Sequence, residues 1–300
     1  MSDQVAEHLL APIAIGLPLL GLALALAIGQ GLKPLLEVSR QVARCDAQRL
    51  APLPSRDVPA EIKPLIDQLN GLFGRIAESL ANERRFTADA AHELRTPIAA
   101  IRAQAQVAQQ ARDPDTRNHA LDGLVRGCER AAQLIDQLLT LARLDARAGP
   151  PQGHCDLLPV VRTVLAELAP WAHGRGIALE LLGDESVPVP ADETLLLQVL
   201  VRNLVDNAVR YSPAGQTVTV RVAAEPRAVR LEVLDRGPGI PAAERDRVLG
   251  RFYRLAGYEE GAGLGLSIAL RIAELCGARL ELLDHPEGPG LCATVRFPKA

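Results

Sequence analysis

Three hundred residues are too many for one typical core and suit two or three modules, and a formal charge of −3 leaves no basic footprint for nucleic acid. The five cysteines (Cys45, Cys128, Cys155, Cys276, Cys292) are scattered, odd in number and without a C-x-x-C pair. That argues against a disulfide framework and a zinc site, and it fits a reducing compartment.

Residues 9–32 contain no charged side chain and are almost all Leu, Ala, Ile, Gly or Pro. As a helix this run rises about 36 Å, enough to cross a hydrocarbon core of about 30 Å. A signal peptide opens on a basic end, whereas Asp3 and Glu7 precede this run and no Lys or Arg does. Lys33, Arg40, Arg44 and Arg49 follow it, so the positive-inside rule puts the remainder in the cytoplasm. A tail at 1–8 and a transmembrane helix at 9–32 are therefore predicted. Eight residues leave no room for an external sensor, so either the chain is a fragment or its input arrives within the membrane.

Next come an amphipathic stretch at 35–49, a Pro-rich connector at 51–59, and a helical stretch carrying Leu69, Leu72, Phe73, Ile76 and Leu80. Helix, connector and helix directly after a membrane span resemble a HAMP linker, placed at 33–84. Ala91, Leu94, Ile98, Ile101, Ala105 and Ala108 then step 3-4-3-4-3, and Leu121, Leu124, Cys128, Ala131, Ile135, Leu138 and Ala142 step 3-4-3-4-3-4. With Asp113-Pro114 between them, these predict an antiparallel helical hairpin at 85–147. One hairpin has too little core to stand alone. A second copy completes a four-helix bundle, so a homodimer is expected.

A Gly/Pro linker at 148–154 separates the hairpin from mixed α/β texture at 155–300. Helices are predicted near 156–171, 193–210 and 264–276, with strands at 177–182, 217–222, 228–234, 279–283 and 292–297. Strands and helices do not alternate strictly, so a mixed sheet covered by helices fits better than a doubly wound parallel one.

Four constellations carry chemistry. His92-Glu93-Leu94-Arg95-Thr96-Pro97 places a histidine on the flank of the hairpin, beside the seam residue Ala91. A neutral imidazole is a competent nucleophile, and Glu93 can take the ring proton. Pro97 should kink the helix one turn on. A zinc-protease H-E-x-x-H would need histidine where Thr96 stands, and a plain surface histidine is the bland alternative. On a second helix Asn203, Asn207 and Arg210 share one face opposite the apolar Leu197, Val201, Leu204 and Ala208. Amide oxygen is a hard ligand for Mg²⁺ and Arg pairs with phosphate, though a solvated face has equal claim. Third, Asp235-Arg236-Gly237-Pro238-Gly239 follows a strand. Its carboxylate can accept from an exocyclic amine such as adenine's, or the run is only a turn. Fourth, Gly261-Ala262-Gly263-Leu264-Gly265 opens a helix whose free N–H groups suit an anion. It lacks the Lys of a Walker A loop and the strand of a Rossmann fingerprint. The segment from Arg251-Phe252-Tyr253-Arg254 to Glu260 reads as a lid.

Together these resemble the two-component sensor histidine kinases: the H box at His92, the N box at Asn203–Asn207, the glycine boxes at 235–239 and 261–265, and the F box at Phe252. The runs 86–92 and 200–213 look most like QseC-type sensors. The resemblance implies that His92 is phosphorylated, with Glu93 as its base. It implies that Asn207 binds Mg²⁺, Asn203 lines the phosphate pocket, Arg210 contacts phosphate and Tyr211 the adenine. Asp235 would read the adenine amine, Gly237 and Gly239 would shape its pocket, and Gly261, Gly263 and Gly265 would frame lid and phosphates. In the H-E-x-x-T pattern Thr96 would aim a water at a phospho-aspartate. The implied fold is a dimeric helical bundle followed by the α/β sandwich ATP-binding domain of gyrase, Hsp90 and MutL (GHKL or Bergerat type). The implied partner is a response regulator receiver domain, attached to a DNA-binding transcription factor, and the implied location is the bacterial inner membrane with the catalytic domains in the cytoplasm. Ala262 stands where many members carry Ser or Thr, so one lid hydrogen bond is expected to be missing. A pseudokinase scaffold, a phosphatase-dominant sensor and a gyrase-type ATPase are the rival readings. The hairpin bearing His92-Glu93 speaks against the last.

Overall fold

The computed structural model describes residues 62–147, 149, 153–183, 187–191, 194–255 and 262–299, together with Gly21, Leu24, Leu26 and Gly29. Those four positions apart, the expected span at 9–32 lies outside the described residues, as do the 35–49 stretch and the 51–59 connector. Among the described residues no helix is long and apolar enough to cross a membrane. The chain divides into two compact units, Met1–Thr87 and Ala88–Ala300.

Helix α1 (Lys63–Gln110) is continuous over 48 residues, so the last stretch of the HAMP-like segment and the His92 helix are one element. It runs through Pro97, which removes one backbone hydrogen bond without ending the helix. Helix α2 (Pro114–Asp145) starts where a sequence reader would place it. Pro114 supplies a preset φ, and Asp113 caps the helix by accepting from the Thr116 N–H at 2.9 Å. That bond, with one from the Thr116 hydroxyl, holds the Asp113 carboxyl below its ordinary range.

The seam of the hairpin differs from the predicted one on α2. Ala120, Gly127, Leu134 and Leu141 are buried, with Leu124, Ala131 and Leu138 half-buried between them. Three predicted positions stand, but Leu121, Cys128, Ile135 and Ala142 are exposed, each one residue past the buried position. Gly127 explains the choice. A Cβ there would lie 2.7 Å from Ile101 Cγ1, so Ile101 occupies the space that a side chain at 127 would need. Apolar counting passes over glycine, which is why the stripe came out one residue late. The exposed set forms a second apolar stripe, with Ile98, Leu121, Val125, Ile135 and Leu139 each about half exposed.

The remaining residues build a mixed sheet of five strands in the order β2-β4-β5-β7-β6: β2 (Ala178–Leu182), β4 (Thr217–Ala224), β5 (Ala228–Leu234), β6 (Arg279–Asp284) and β7 (Leu291–Pro298). Only β2 and β4 pair in parallel. Three helices pack against it: α3 (Leu157–Gly174), α4 (Thr194–Tyr211) and α5 (Gly265–Leu275). Val218, Val220 and Val222 of β4 alternate inward, and burying each contributes about 1.5–3 kcal/mol relative to exposure. The opposite face carries Arg221, Glu232 and Arg230, paired at 3.4 and 2.9 Å. Two short strands, β1 (His154–Asp156) and β3 (Pro188–Pro190), form a separate antiparallel pair that sequence reading passed over. Asp156 joins this pair to α3, accepting from the N–H groups of Leu158 and Val187.

Within the second unit the end of the hairpin is tied to the sheet domain. The Asp145 carboxylate takes two bonds from Arg251 Nη2, at 2.8 and 2.9 Å, and lies 3.6 Å from Arg271 Nε on α5.

Candidate active site

A cleft of about 450 Å³ lies between the hairpin and the sheet domain. On the hairpin side it is walled by Glu93, Thr96, Pro97 and Ala100 of α1, which are spaced i, i+3, i+4, i+7 and so share one face. Arg130, Gln133, Leu134 and Gln137 of α2 complete that wall. His92 is exposed on the flank of the same helix, one residue before Glu93.

The facing wall comes from α4. Leu197, Val201, Leu204 and Ala208 are buried in the core, which turns Asn203, Asp206, Asn207 and Arg210 to the cleft. The Asn203 amide donates to Val199 O at 2.7 Å, leaving its oxygen toward the start of α5. A Cβ on Gly265 would meet that oxygen at 3.1 Å and the Asn207 amide at 3.4 Å, so the α5 N-terminus rests directly on the two asparagines. Arg210 is engaged by Asp206 at 3.0 Å on its own helix, a pairing that the one-face reading of α4 did not include. Tyr211 also lines the cleft.

The third wall is the loop after β5. Asp235 is 7% exposed, and both hydrogen bonds to its carboxylate, from Gly237 N at 2.8 Å and Leu291 N at 3.1 Å, fall on Oδ1. Oδ2 therefore keeps its lone pairs for a donor. Burial pushes the Asp235 carboxyl above its ordinary value, opposed by the Gly237 and Leu291 N–H groups. Pro238, Gly239, Ile240 and Val248 add an apolar surface beside it.

The glycine run and the aromatic residue before it interlock. Phe252 has φ +59°, rare for an aromatic residue, and its N–H donates to Gly263 O at 2.9 Å. Gly263 has φ +69°, and a Cβ there would lie 2.8 Å from Phe252 C and from Tyr253 O. Ala262, Gly263 and Gly265 line the cleft, whereas Gly261 and residues 256–260 fall outside the described residues.

The cleft thus offers a buried carboxylate beside an apolar slot at one end. At the other it offers a helix N-terminus, two amides and an arginine, with Glu93 and Thr96 across from them. An adenine amine suits the first and a polyphosphate the second.

Comparison with known proteins bears on the same residues. Residues 82–147 match the His Kinase A (phospho-acceptor) domain. Residues 191–300 match the histidine kinase-, DNA gyrase B- and HSP90-like ATPase domain, and residues 32–78 match the sensor protein PhoQ-like HAMP domain. The sensor protein BasS of Salmonella typhimurium is 32% identical over 302 residues, covering 99% of this chain and 83% of that one. The chain belongs to the sensor histidine kinases. Within that family the sensor protein kinase PmrB of Pseudomonas aeruginosa is 42% identical over 291 residues, covering 96% of this chain and 61% of that one. The sensor protein QseC of Salmonella typhi is 39% identical over 300 residues, covering 99% and 66%, in line with the QseC likeness of the motifs. The sensor-kinase chain therefore spans roughly two thirds or less of the length of these two relatives. Among solved structures, histidine kinase ThkA in complex with response regulator protein TrrA shares the fold, with a TM-score of 0.62 and 22% identity over 74% of this chain and 64% of that one.

Sequence reading reached the α1, α4 and glycine-loop walls of this site. It missed the α2 wall at Gln133 and Gln137, and it missed the turn before β7 that touches Asp235. Glutamines on a hairpin helix carry no signal of their own. The run Pro286-Glu287-Gly288-Pro289-Gly290 did carry one, as a crowded turn between two strands.

Proposed function

We propose that this sensor kinase phosphorylates its own His92 from MgATP and passes the phosphoryl group to an aspartate of a response regulator. One observation carries the reading: Asn203, Asn207, Asp235, Gly263 and Gly265 line a single cleft with Glu93 and Thr96, the neighbours of His92. A ring nitrogen of His92 attacks the γ-phosphorus and the bond to the β-phosphate oxygen breaks, releasing ADP. Glu93 takes the proton from the other ring nitrogen. Asp235 Oδ2 accepts from the adenine amine, and the α5 N-terminus and Arg210 hold phosphate charge. The Asn207 amide oxygen would hold Mg²⁺ in a shell completed by the nucleotide, and the ion would supply positive charge at the transferred group. Such a shell, with few protein ligands, is usual for Mg²⁺ on nucleotides. Incubation with γ-labelled MgATP tests the reading. An acid-labile, alkali-stable label on the chain is expected, and a chain that binds ATP yet stays unlabelled would be a binding scaffold instead.

The hairpin acts as a dimer, with the exposed stripe through Ile98, Leu121, Ile135 and Leu139 against its copy. Ile101 packs on Gly127 within one chain, so a charge there tests the hairpin and not the dimer. Ile135→Glu is the better probe. The unmutated protein should sediment as a dimer at micromolar concentration and the variant as a folded monomer. A monomeric parent would remove the bundle from the proposal.

Residues 9–32 anchor the protein in the inner membrane with the catalytic domains on the cytoplasmic side, and a HAMP segment at 33–84 leads into the 85–147 hairpin and the 155–300 ATP-binding domain. The partner is the receiver domain of a transcription factor.

Thr96 lies one turn beyond His92 on the cleft side and positions a water for hydrolysis of the regulator's phospho-aspartate. Thr96→Ala should keep autophosphorylation while the phosphorylated regulator outlives its normal lifetime in the presence of the kinase. If both activities fall together, Thr96 only shapes the helix before Pro97.

A further inference from the structure

The turn between β6 and β7, residues 285–290, forms the back of the Asp235 wall. Its ends are closed by His285 N–H donating to Gly290 O at 3.2 Å. Asp235 N–H donates to Leu291 O at 2.9 Å, and Leu291 N–H returns to Asp235 Oδ1 at 3.1 Å. Gly290, at φ +137°, passes so close that a Cβ would lie 2.0 Å from Asp235 O. Arg236, the next residue, clamps the turn from outside, donating to Glu287 O at 2.7 Å. The orientation of the Asp235 carboxylate is thus set jointly by the Gly237 N–H and by Leu291, where this turn enters β7.

Inside the turn sits His285, 9% exposed, with Nδ1 accepting from the Glu287 N–H at 3.0 Å. An acceptor nitrogen carries no proton, so this imidazole is neutral with its hydrogen on Nε2. Protonation at Nδ1 would turn the acceptor into a donor facing a donor, and the turn would open at Glu287.

We propose that His285 is a positioning residue for nucleotide binding: its neutral ring locks the turn at residues 285–290 against Asp235, and its protonation releases that lock and weakens the hold on adenine. The inference rests on the assignment of Asp235 to the adenine amine. The charges facing His285 are Arg236 and Asp235 from the loop after β5, Glu287 from the turn itself and Arg221 from β4. Burial, then Arg236, lower the His285 pKa, while Glu287 and Asp235 partly oppose them. A histidine whose folded pKa is depressed stabilises the fold fully above its unfolded value, and that contribution is lost as pH falls through the folded value. The lock therefore holds at neutral pH and opens on acidification below the ordinary histidine range.

The test is ATP titration of the full chain by calorimetry from about pH 8 to about pH 5, with His285→Asn and His285→Leu alongside. An Asn side-chain oxygen can accept the Glu287 N–H in an Asx turn but does not titrate. His285→Asn should bind ATP like the parent at neutral pH, and it should outbind the parent by about three- to tenfold at the acid end. Taking the ratio of the two affinities cancels the titration of the phosphates, which both proteins share, and leaves that of His285 with its coupling to Asp235. His285→Leu, with no acceptor, should be weakened by a similar factor throughout. A His285→Asn profile that follows the parent at every pH overturns the proposal. Failure of the parent to bind ATP at neutral pH would instead remove the adenine site itself. Near-neutral melting curves of both variants separate these outcomes from misfolding, since a folded His285→Leu that binds like the parent also overturns it.

Discussion

His92→Gln leaves no acid-labile, alkali-stable phosphoryl group on the chain after incubation with labelled MgATP, while ATP binds as before. The loss should be complete, because the glutamine amide is not a nucleophile and His92 is the histidine that adjoins the cleft, through the lining residue Glu93. His92 is exposed on a helix flank, so the change removes no packing and melting should be unaltered. Asn207→Ala should also lose the label by a different route, through the metal–phosphate site, and so should lower nucleotide affinity as well. The pair separates acceptor from binding site. Label surviving in His92→Gln would place the acceptor elsewhere.

Asp235→Asn should weaken ATP about tenfold or more while leaving the fold intact. The asparagine oxygen can keep the Gly237 and Leu291 N–H groups that now meet Oδ1, but its amide then presents a donor where the adenine amine needs an acceptor. A charge-assisted hydrogen bond is worth roughly 1.5–3 kcal/mol, which sets the minimum loss. The effect on stability runs the other way. Burial raises the Asp235 pKa, so its contribution is full below the unfolded value and is lost as pH rises through the folded one. Above its raised pKa the ionised carboxylate is a cost to the fold that the neutral amide does not carry. Melting should therefore be equal or slightly higher in Asp235→Asn, with affinity measured by calorimetry. Unchanged ATP affinity would take Asp235 out of the adenine site.

The sequence was most readable where burial and chemistry alternate on one element. On α4 the apolar positions Leu197, Val201, Leu204 and Ala208 fix which face points inward, and the amides follow by geometry. The strand at 217–224 shows the same alternation, and it pairs antiparallel with the strand at 228–234, whose residues are buried without a break from Leu231 to Leu234. Reading failed where one helix serves two apolar faces. On α2 the buried stripe through Gly127 and the exposed stripe through Ile135 lie one residue apart, and a heptad count merges them. It failed again at β1 and β3, three residues each, too short for an alternation to show and paired with one another. The site was legible in its motifs but not in its supports. Asp206 and Arg210 stand at the i, i+4 spacing of a helical ion pair, which the one-face reading of α4 left out in favour of a phosphate contact, and nothing local to Asp235 pointed to Leu291, 56 residues further on.

Asp145 holds the sheet domain to the hairpin through groups that are each about one third exposed. Ion pairs with that much access to water hold with about 0–1 kcal/mol, comparable to thermal energy. An attachment of that kind behaves as a slipping clutch and not as a weld: it sets where the domain rests without fixing how long it stays. Its grip should loosen with added salt, as screening shortens the reach of exposed charges to about 3 Å at 1 M. Because Arg251 is joined to Phe252, whose N–H is bonded to Gly263 O, the Asp145 contact and the glycine loop that lines the cleft share one short stretch of backbone.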